Sequence, residues 1–381
     1  MTYPRRLVLP AAGEATFFLW GPRQTGKTTL LRKLYGDCLW VDLLRSSTFR
    51  SLAARPEELA EIVRARGAGF VVIDEIQKVP ELLDEVHRLH EQGVRFALCG
   101  SSVRKVRRGH ANLLGGRALR FELGGLVSAE LGDGFDLTRM LNHGCMPRIY
   151  DALRPTPLLR AYVADYLKEE VMAEGLIRRL GPFDDFLRQA ALADSEPVNF
   201  ANIARDCGVS GQTVRAYYGI LEDTLLGRFL PAYRRRPRRR LTKASKFYFA
   251  DVGVVNQLAK RRGLEPGGQL YGKAMESWLH HELRAYNAYA ERDADLSYWR
   301  LTTGVEVDFI VNDMELAIEC KASARIRPGH LKNLRELDQD HPGCRRRILV
   351  ALTDTSRTTE DGIEIVRLDD FLDALWGGAI F

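Results

Sequence analysis

One short segment of the chain carries residues suited to holding a phosphate chain. Residues 21–28, GPRQTGKT, fit the pattern G-x-x-x-x-G-K-S/T and lie between an apolar run and a helix-like run. Gly21 and Gly26 let the backbone curl so that amide N–H groups and a helix N-terminus face an anion. Lys27 would reach the β- and γ-phosphates, and the Thr28 hydroxyl would bind Mg²⁺. This phosphate-binding loop (P-loop) predicts an ATP site made by Gly21, Pro22, Arg23, Gln24, Thr25, Gly26, Lys27, Thr28 and Thr29.

An acidic pair about fifty residues further on completes this chemistry. Asp74 and Glu75 follow the apolar run FVVI at the end of a predicted strand. Asp74 would hold the magnesium ion, usually through a water molecule. Glu75 is placed to orient or deprotonate the attacking water, as a general base must. The two motifs together predict an ATP-hydrolysing site with Mg²⁺ as its metal.

Two further residue positions are candidates for the same reaction. Ser101 or Ser102, at the end of the run LCGSS, would lie between the loop and the acidic pair and contact the γ-phosphate. Arg117 could reach the nucleotide of a neighbouring subunit and stabilise the charge of the transferred phosphoryl group. The alternative for Arg117 is an ordinary surface arginine.

A second group of charges lies on two apolar runs near the end of the chain. If Asn312-Asp313 form a two-residue hairpin turn, Asp308 lies opposite Ala317, and Glu319 is its diagonal neighbour on the same face, roughly 7–8 Å away. Two such carboxylates can share one divalent ion, and Lys321, next on that face, can meet a phosphate. A four-residue loop would keep the shared face, whereas a three-residue loop would destroy it.

The elements that position these residues change in type along the chain. Helix-like segments alternate with five apolar runs in the first third, which predicts an α/β domain with a parallel sheet covered on both faces. From about residue 126 to 195 the pattern is wholly helical and predicts a lid. The five predicted strands are 17–20, 39–43, 70–74, 96–100 and 119–123.

The pattern of apolar and polar residues from 200 to 223 predicts a helix-turn-helix. Residues 200–207 and 211–223 predict two helices, with Gly208 in the left-handed turn position and Ser210 as a cap. The following run reads as two strands around an arginine-rich tip, the wing of a winged helix. DNA contact would use recognition-helix and wing residues, although such modules in ATPases also serve as lids or protein contacts. The predicted DNA-binding residues are Gln212, Thr213, Arg215, Arg234, Arg235, Arg236, Arg238, Arg239 and Arg240.

Composition sets the class of protein. The chain has 381 residues, 45% apolar and 28% charged, which is typical of a soluble protein with two to four domains. No stretch approaches the ~20 apolar residues of a membrane helix, and the first residues do not read as a cleaved signal. Six scattered cysteines without C-x-x-C pairs favour a reducing cytoplasm. The +6 charge is concentrated in basic runs at 104–108 and 234–240, which favour an anionic partner or form a solvated surface.

The P-loop run, the acidic run, LCGSS and LGGRALRFEL together resemble a widespread group of prokaryotic AAA+ ATPases, and the resemblance continues through GCMPRIY to the end of the chain. Membership implies ATP-driven movement and a homo-oligomer, a ring or partial ring of which a hexamer is one form. Near the end, Asp308 and the E-x-K at Glu319 and Lys321 resemble the PD-(D/E)xK nuclease superfamily. That superfamily also uses an acid on a preceding helix, which would be Glu276 here.

Four domains are therefore predicted: an ATPase core at 1–125, a helical lid at 126–195, a winged helix at 196–256 and an α/β nuclease-like domain at 257–381. The favoured function is an ATPase that binds and remodels or translocates DNA, with a terminal metal-dependent domain that grips or cuts it. The alternative is a regulatory switch ATPase that remodels a protein partner, with recognition modules at its end. A sequence-specific regulator is a third possibility.

Overall fold

The structure, a computed structural model, describes residues 3–102, 114–167, 180–234 and 241–381. The chain divides into two compact units, the first made of Met1–Leu126 and Ile220–Leu226, the second of Val127–Gly219 and Gly227–Phe381. Every helix in the described ranges is too short or too polar to cross a lipid bilayer. The division of the second unit into lid, winged helix and terminal domain stays a prediction.

The first unit contains a five-stranded sheet in which all neighbouring strands are parallel, in the order β2-β3-β4-β1-β5. This confirms the predicted parallel α/β architecture of the N-terminal region. Its strands are β1 Phe17–Trp20, β2 Leu39–Asp42, β3 Phe70–Asp74, β4 Arg95–Gly100 and β5 Leu119–Glu122. Its helices are α1 Lys27–Tyr35, α2 Ser46–Ala54, α3 Glu58–Arg66 and α4 Leu82–Glu91.

Helices cover both faces of this sheet because successive strand side chains point to opposite sides. On one face the Phe17 ring lies 6.0 Å from the Tyr35 ring of α1. On the other, Phe18 belongs to a buried apolar cluster with Leu59 of α3 and Val86 of α4. Since β1, β3 and β4 are parallel neighbours, the residues that follow them meet at one edge of the sheet. This edge positions the P-loop, the acidic pair and the serines.

The second unit contains a six-stranded sheet, β12-β13-β11-β10-β9-β8, and a two-stranded pair, β6-β7. Its strands are β6 Gly227–Leu230, β7 Lys246–Phe249, β8 Leu296–Arg300, β9 Glu306–Val311, β10 Leu316–Lys321, β11 Arg346–Ala351, β12 Arg357–Thr358 and β13 Ile363–Arg367. Its helices are α5 Ser128–Leu131, α6 Leu137–His143, α7 Pro147–Tyr150, α8 Pro155–Ala161, α9 Leu180–Leu192, α10 Phe200–Asp206, α11 Gly211–Asp223, α12 Val252–Leu258, α13 Gln269–Tyr289, α14 Lys332–Asp340 and α15 Leu368–Trp376. The last four residues of α11 are counted with the first unit.

The two helices of the predicted helix-turn-helix are present as α10 and α11. Gly208 has a φ of 62°, the left-handed value that its turn position requires. The Ser210 hydroxyl accepts a hydrogen bond of 3.1 Å from the Thr213 amide and caps α11. The Tyr218 ring of α11 packs against Phe247 of β7 at 4.7 Å. The helices and the β6-β7 pair therefore share an aromatic core.

The segments that flank the arginine-rich tip differ from the predicted free wing. The Tyr233 amide donates to the Tyr298 carbonyl at 2.7 Å, and the Thr242 amide donates to the Arg300 carbonyl at 2.9 Å. Both acceptors belong to β8, the last strand of the six-stranded sheet in the order given above. The two-strand hairpin prediction missed these contacts, because edge-strand pairing depends on residues some sixty positions away in sequence. Residues 235–240 themselves lie outside the described residues.

A buried aspartate joins two helix starts in the second unit. Asp251 precedes α12, and its carboxylate accepts hydrogen bonds from the amides of Val254 at 3.0 Å, Cys145 at 2.7 Å and Met146 at 3.1 Å. A Cβ on Gly144 would lie 2.2 Å from this carboxylate, so no side chain fits there. These hydrogen bonds join the segment GCMP to the segment FADVG, which lies about a hundred residues further along the sequence.

Candidate functional site

The P-loop lies between β1 and α1 and has the glycine requirements that its sequence predicts. Gly26 has a φ of 92°, which favours glycine. A Cβ on Gly21 would lie 2.2 Å from the Leu123 carbonyl oxygen, so the close approach of the two backbones excludes any side chain. The loop is also fixed by Arg5, whose guanidinium donates to the Thr25 carbonyl at 2.5 Å and to the Gly124 carbonyl at 2.9 Å. No motif in the sequence indicated this role of Arg5.

The lysine of the loop points back into it. Lys27 is buried, and its Nζ donates to the carbonyl oxygens of Gly21 at 2.8 Å and Pro22 at 2.9 Å. Both acceptors are neutral, and an ammonium forms stronger hydrogen bonds with anionic oxygens. A phosphate oxygen reaching this loop would therefore compete well for Lys27. Of the remaining loop residues, Gln24 and Thr29 are exposed, whereas Arg23 and Thr28 are half-buried.

The structure brings the two predicted magnesium ligands together. The Thr28 hydroxyl donates to the Asp74 carboxylate across 2.9 Å. Asp74 ends β3 and is 1% exposed, and its other oxygen, Oδ1, has no hydrogen-bond partner among the described residues. A buried carboxylate oxygen without a donor is costly unless a cation or water satisfies it. Hydroxyl and carboxylate oxygens are the ligands that Mg²⁺ prefers, so the donor set fits this ion.

A glutamine that the sequence analysis missed connects the acidic pair with a serine. Gln77 is 4% exposed, and its Nε2 donates to the Glu75 carboxylate and, at 3.1 Å, to the Ser101 hydroxyl. Glu75 has a φ of 62°, an uncommon left-handed value for a non-glycine residue. Gln77 therefore holds the predicted general base against β4. The only hint in the sequence was a polar residue two positions after Glu75.

Replacing Gln77 with alanine should lower kcat for ATP hydrolysis about 10–100-fold with little change in KM for ATP, because a displaced general base loses much of its effect. Steady-state phosphate release at several ATP concentrations measures both constants. Gln77→Glu keeps the shape but removes the N–H donor, so it should resemble the alanine variant. A Gln77→Ala enzyme with the native kcat would contradict the positioning role.

Arg117 forms an ion pair with Glu91 of its own chain. Its Nε lies 2.8 Å from a carboxylate oxygen of Glu91, and both side chains are about half exposed. The predicted contact with a neighbouring subunit's nucleotide stays a prediction. The exposure of Arg117 is compatible with either that role or an ordinary surface pair.

The terminal charges lie on the hairpin of β9 and β10, but in a different register from the predicted one. Leu316 pairs with Val311, so the loop has four residues and not two. The same register, continued along the strands, places Asp308 directly opposite Glu319, not opposite Ala317. Two left-handed residues in the loop, Asn312 and Met314, build this wider turn. The shared face survives, as the four-residue alternative requires.

Around this pair the structure collects a larger acidic cluster. Carboxylate oxygens of Glu276, Glu306 and Asp308 all lie within 4.8 Å of one another. Glu319 is held by Lys321 at 2.6 Å and by the Asn333 amide at 3.0 Å. The four predicted residues are thus brought together, and the sequence analysis missed Glu306. Glu306 lies two positions before Asp308 on β9 and therefore on the same face of the strand, which was the available signal in the sequence.

Two residues of β7 also enter the acidic cluster, and neither was predicted. Lys246 is fully buried, with its Nζ 2.9 Å from a Glu276 oxygen and 2.5 Å from a Glu306 oxygen. The Tyr248 hydroxyl donates to the same Glu276 oxygen at 2.7 Å. The sequence gives no sign of these contacts, because Lys246 precedes Glu276 by thirty residues and lies in the β6-β7 pair, whereas Glu306 lies in the six-stranded sheet.

The electrostatics of the cluster follow from burial and charge. Burial raises the pKa of Asp308 well above its usual value, and the neighbouring Glu319 and Glu276 carboxylates raise it further. Burial also raises the pKa of Glu319, although Lys321 opposes this. Burial disfavours the charged form of Lys246, but attraction to Glu276 and Glu306 outweighs it and raises its pKa. A cation at this position therefore stabilises the ionised carboxylates.

The predicted DNA-contact residues that the structure describes have varied surroundings. Gln212 is exposed, whereas the Thr213 hydroxyl hydrogen-bonds Ser210 in the helix cap at 2.9 Å. The Arg215 guanidinium lies 5.1 Å from the centre of the Phe200 ring. Arg234 donates to the Lys243 carbonyl at 2.8 Å. The other predicted arginines, 235, 236 and 238–240, lie outside the described residues.

Comparison with known families agrees with the first of these sites. Residues 14–132 match a family described as an AAA domain. Together with the P-loop geometry, this match supports an AAA-type P-loop ATPase domain in the N-terminal part of the chain. Residues 134–265 and 271–371 match two domains of unknown function, DUF8612 and DUF4143.

Two mycobacterial proteins are similar over most of the chain. They are uncharacterized protein Rv2008c of Mycobacterium tuberculosis and uncharacterized protein Mb2031c of Mycobacterium bovis. Each is 26% identical over 305 residues, which cover 77% of this chain and 66% of the relative. The aligned part is thus just under two thirds of each relative's length.

Proposed function

We propose that this protein hydrolyses ATP with Mg²⁺ at the P-loop and uses the reaction to act on DNA. The observation that carries the first half is the Thr28–Asp74 hydrogen bond of 2.9 Å. It joins the loop and β3 at the sheet edge where a magnesium nucleotide would be held. A loop that bound only a simple anion would have no need for this buried carboxylate.

Each residue at the sheet edge has a distinct role in the proposed reaction. Lys27 would balance charge on the β- and γ-phosphate oxygens, and Glu75 would orient the attacking water and accept its proton. Ser101, tied to Glu75 through Gln77, would respond to the γ-phosphate. The bound magnesium ion would be held by Thr28 and Asp74 and would neutralise charge on the phosphates. The residues supply positioning and electrostatics, which carry most of catalysis in phosphoryl transfer.

Assembly into a homo-oligomer is a further part of the proposal. AAA domains often act as rings, and a homo-oligomer, hexameric in a closed ring, would let Arg117 of one subunit reach the nucleotide of the next. The half-exposed Arg117–Glu91 pair could exchange partners at little cost, because exposed ion pairs contribute little stability.

The DNA half of the proposal is supported by the terminal acidic cluster. Carboxylates near Lys321 suit a divalent ion bound beside a phosphodiester, in the manner of metal-dependent nucleases. The helix-turn-helix formed by α10 and α11 and the arginine-rich segment after Tyr233 would hold the DNA backbone. Glu276, Asp308, Glu319 and Lys321 would then be the residues that grip or cut the strand.

Replacing Asp308 with alanine tests this part. We expect the native protein to cut labelled linear, single-stranded or four-way-junction DNA with Mg²⁺ or Mn²⁺, and the variant to lose cutting at least about 100-fold, since a metal ligand is removed. The reactions are run with and without ATP, and phosphate release is followed in parallel. Asp354→Ala, an exposed aspartate of the same unit, serves as the control. DNA-stimulated ATP hydrolysis without cutting would make the terminal domain a DNA grip.

A second candidate is a switch ATPase that remodels a protein partner. The observation that favours it is that two of the three proposed groove residues have local partners: Thr213 in the helix cap and Arg215 against the Phe200 ring. Side chains engaged in this way are less available to base edges. If DNA neither raises ATP hydrolysis nor is cut, this second function replaces the first.

A further inference from the structure

A buried lysine lies where the acidic cluster would be expected to hold its cation. Lys246 contacts Glu276 and Glu306, two of the three residues whose carboxylate oxygens lie within 4.8 Å of one another. It comes from β7, whereas the carboxylates come from α13, β9 and β10. An ammonium this deeply buried is stable only beside carboxylates. Strand β7, which is not part of the β9-β10 hairpin, therefore places a positive charge inside the acidic cluster.

We infer that the acidic cluster is a single cation site for which the Lys246 ammonium and a divalent metal ion compete. The inference rests on the metal-binding role proposed for this cluster. Opposite oxygens around a bound Mg²⁺ are about 4.2 Å apart, twice the usual metal–oxygen distance. The oxygens of the three carboxylates lie within 4.8 Å of one another, so one ion could contact all three after a small movement of the side chains. The metal ion and the ammonium would use the same oxygens of Glu276 and Glu306. Only one of the two cations can occupy them at a time.

The charges of the cluster support this competition. Among the described residues, with every carboxyl group ionised, four negative charges face three positive ones, so one negative charge is left over. Exchange of the single ammonium for a divalent ion would balance the cluster. The carboxylates are Glu276, Glu306, Asp308 and Glu319, and the described cations paired with them within 4.0 Å are Lys246, Arg300 and Lys321.

A second observation points independently to a carboxylate oxygen that could bind a cation. Glu319 is 1% exposed, and its Oε1 accepts hydrogen bonds from Lys321 and Asn333. Its other oxygen, Oε2, is buried without a hydrogen-bond partner among the described residues. The Lys246 ammonium pairs with Glu276 and Glu306, whereas the Cys320 amide donates to Asp308 at 2.8 Å. The Lys246 ammonium thus neutralises Glu276 and Glu306, and a metal ion could also bind Oε2 of Glu319.

Manganese binding to the full chain, in the absence of nucleotide, tests the competition. The free Mn²⁺ signal in electron paramagnetic resonance gives the dissociation constant for the native protein, Lys246→Met, Lys246→Arg and the double variant K246M/D308N. We expect Lys246→Met to bind Mn²⁺ about tenfold or more tightly than the native protein, because the competing charge is gone. Lys246→Arg keeps the charge and should stay as weak as the native chain. The double variant should lose the gain, which assigns it to this cluster and not to Thr28 and Asp74.

Folding of the variant is part of the test. Lys246→Met leaves buried carboxylates without their ammonium, so its thermal midpoint should fall in chelator and recover when Mn²⁺ is added. The native protein should show a smaller shift with Mn²⁺. Equal Mn²⁺ affinity of the native and methionine proteins would overturn the inference. A methionine variant that stays unfolded in saturating Mn²⁺ would overturn it too, because the ion would then fail to replace the ammonium.

The outcome is separable from that of the proposed function. Tight Mn²⁺ binding by Lys246→Met, with no DNA cutting by any variant, would support the shared cation site and remove the nuclease role. Asp308-dependent cutting by the native protein, with no tighter binding by Lys246→Met, would keep the nuclease role and remove the competition.

Discussion

Replacing Glu75 with glutamine is expected to lower kcat for ATP hydrolysis about 10²–10⁴-fold, the usual contribution of a positioned general base. Glutamine keeps the size of the side chain and one oxygen that can accept the hydrogen bond from Gln77, but it cannot accept the proton of the attacking water. Lys27, Thr28 and Asp74 are unchanged, so nucleotide binding should be kept. Phosphate release measures the rate, and binding of a fluorescent ATP analogue measures the affinity.

The geometry around Glu75 makes this prediction specific. The left-handed backbone of Glu75 and the hydrogen bond from Gln77 hold its carboxylate beside Ser101 at the end of β4. The matched control is Glu61→Gln, an exposed glutamate of α3 in the same unit, which should leave the rate unchanged. A Glu75→Gln protein whose rate is within a few-fold of the native one would assign the proton transfer to another residue.

Replacing Asp251 with alanine is expected to lower the free energy of unfolding of the second unit by about 3 kcal/mol or more, since each unsatisfied buried amide costs about 1–3 kcal/mol. The Asp251 carboxylate accepts hydrogen bonds from the amides of Cys145, Met146 and Val254, and alanine offers these amides no acceptor. Urea denaturation followed by circular dichroism measures the loss.

Hydrogen exchange locates the effect. Exchange of the Cys145 and Met146 amides should speed up in the Asp251→Ala variant, because their acceptor is gone. Asp354→Ala, an exposed aspartate of the same unit, should change stability by less than about 0.5 kcal/mol. Unchanged hydrogen exchange at the Cys145 amide would show that its hydrogen bond to Asp251 does not protect it.

The sequence by itself determined the elements and motifs that are local. The P-loop pattern specified Gly21, Gly26, Lys27 and Thr28, because a phosphate-binding turn needs these residue types within eight positions. The five strands of the N-terminal sheet were readable as apolar runs, and their alternation with helices indicated a parallel sheet. The turn at Gly208 and the cap at Ser210 were equally local. Such features depend on neighbours a few positions away, which a sequence displays directly.

The tertiary structure decided every contact between residues distant in the chain. It set the four-residue loop that places Asp308 opposite Glu319, because hairpin register depends on how the whole sheet packs. It brought Lys246 to Glu276 and Arg5 to the P-loop, and it placed Asp251 beneath Cys145. A charged residue carries no mark of its partner when the two are separated by tens of positions. Long-range packing therefore determines these pairs. It also places Lys246, Glu276 and Glu306 beside Asp308, Glu319 and Lys321 to form one cluster.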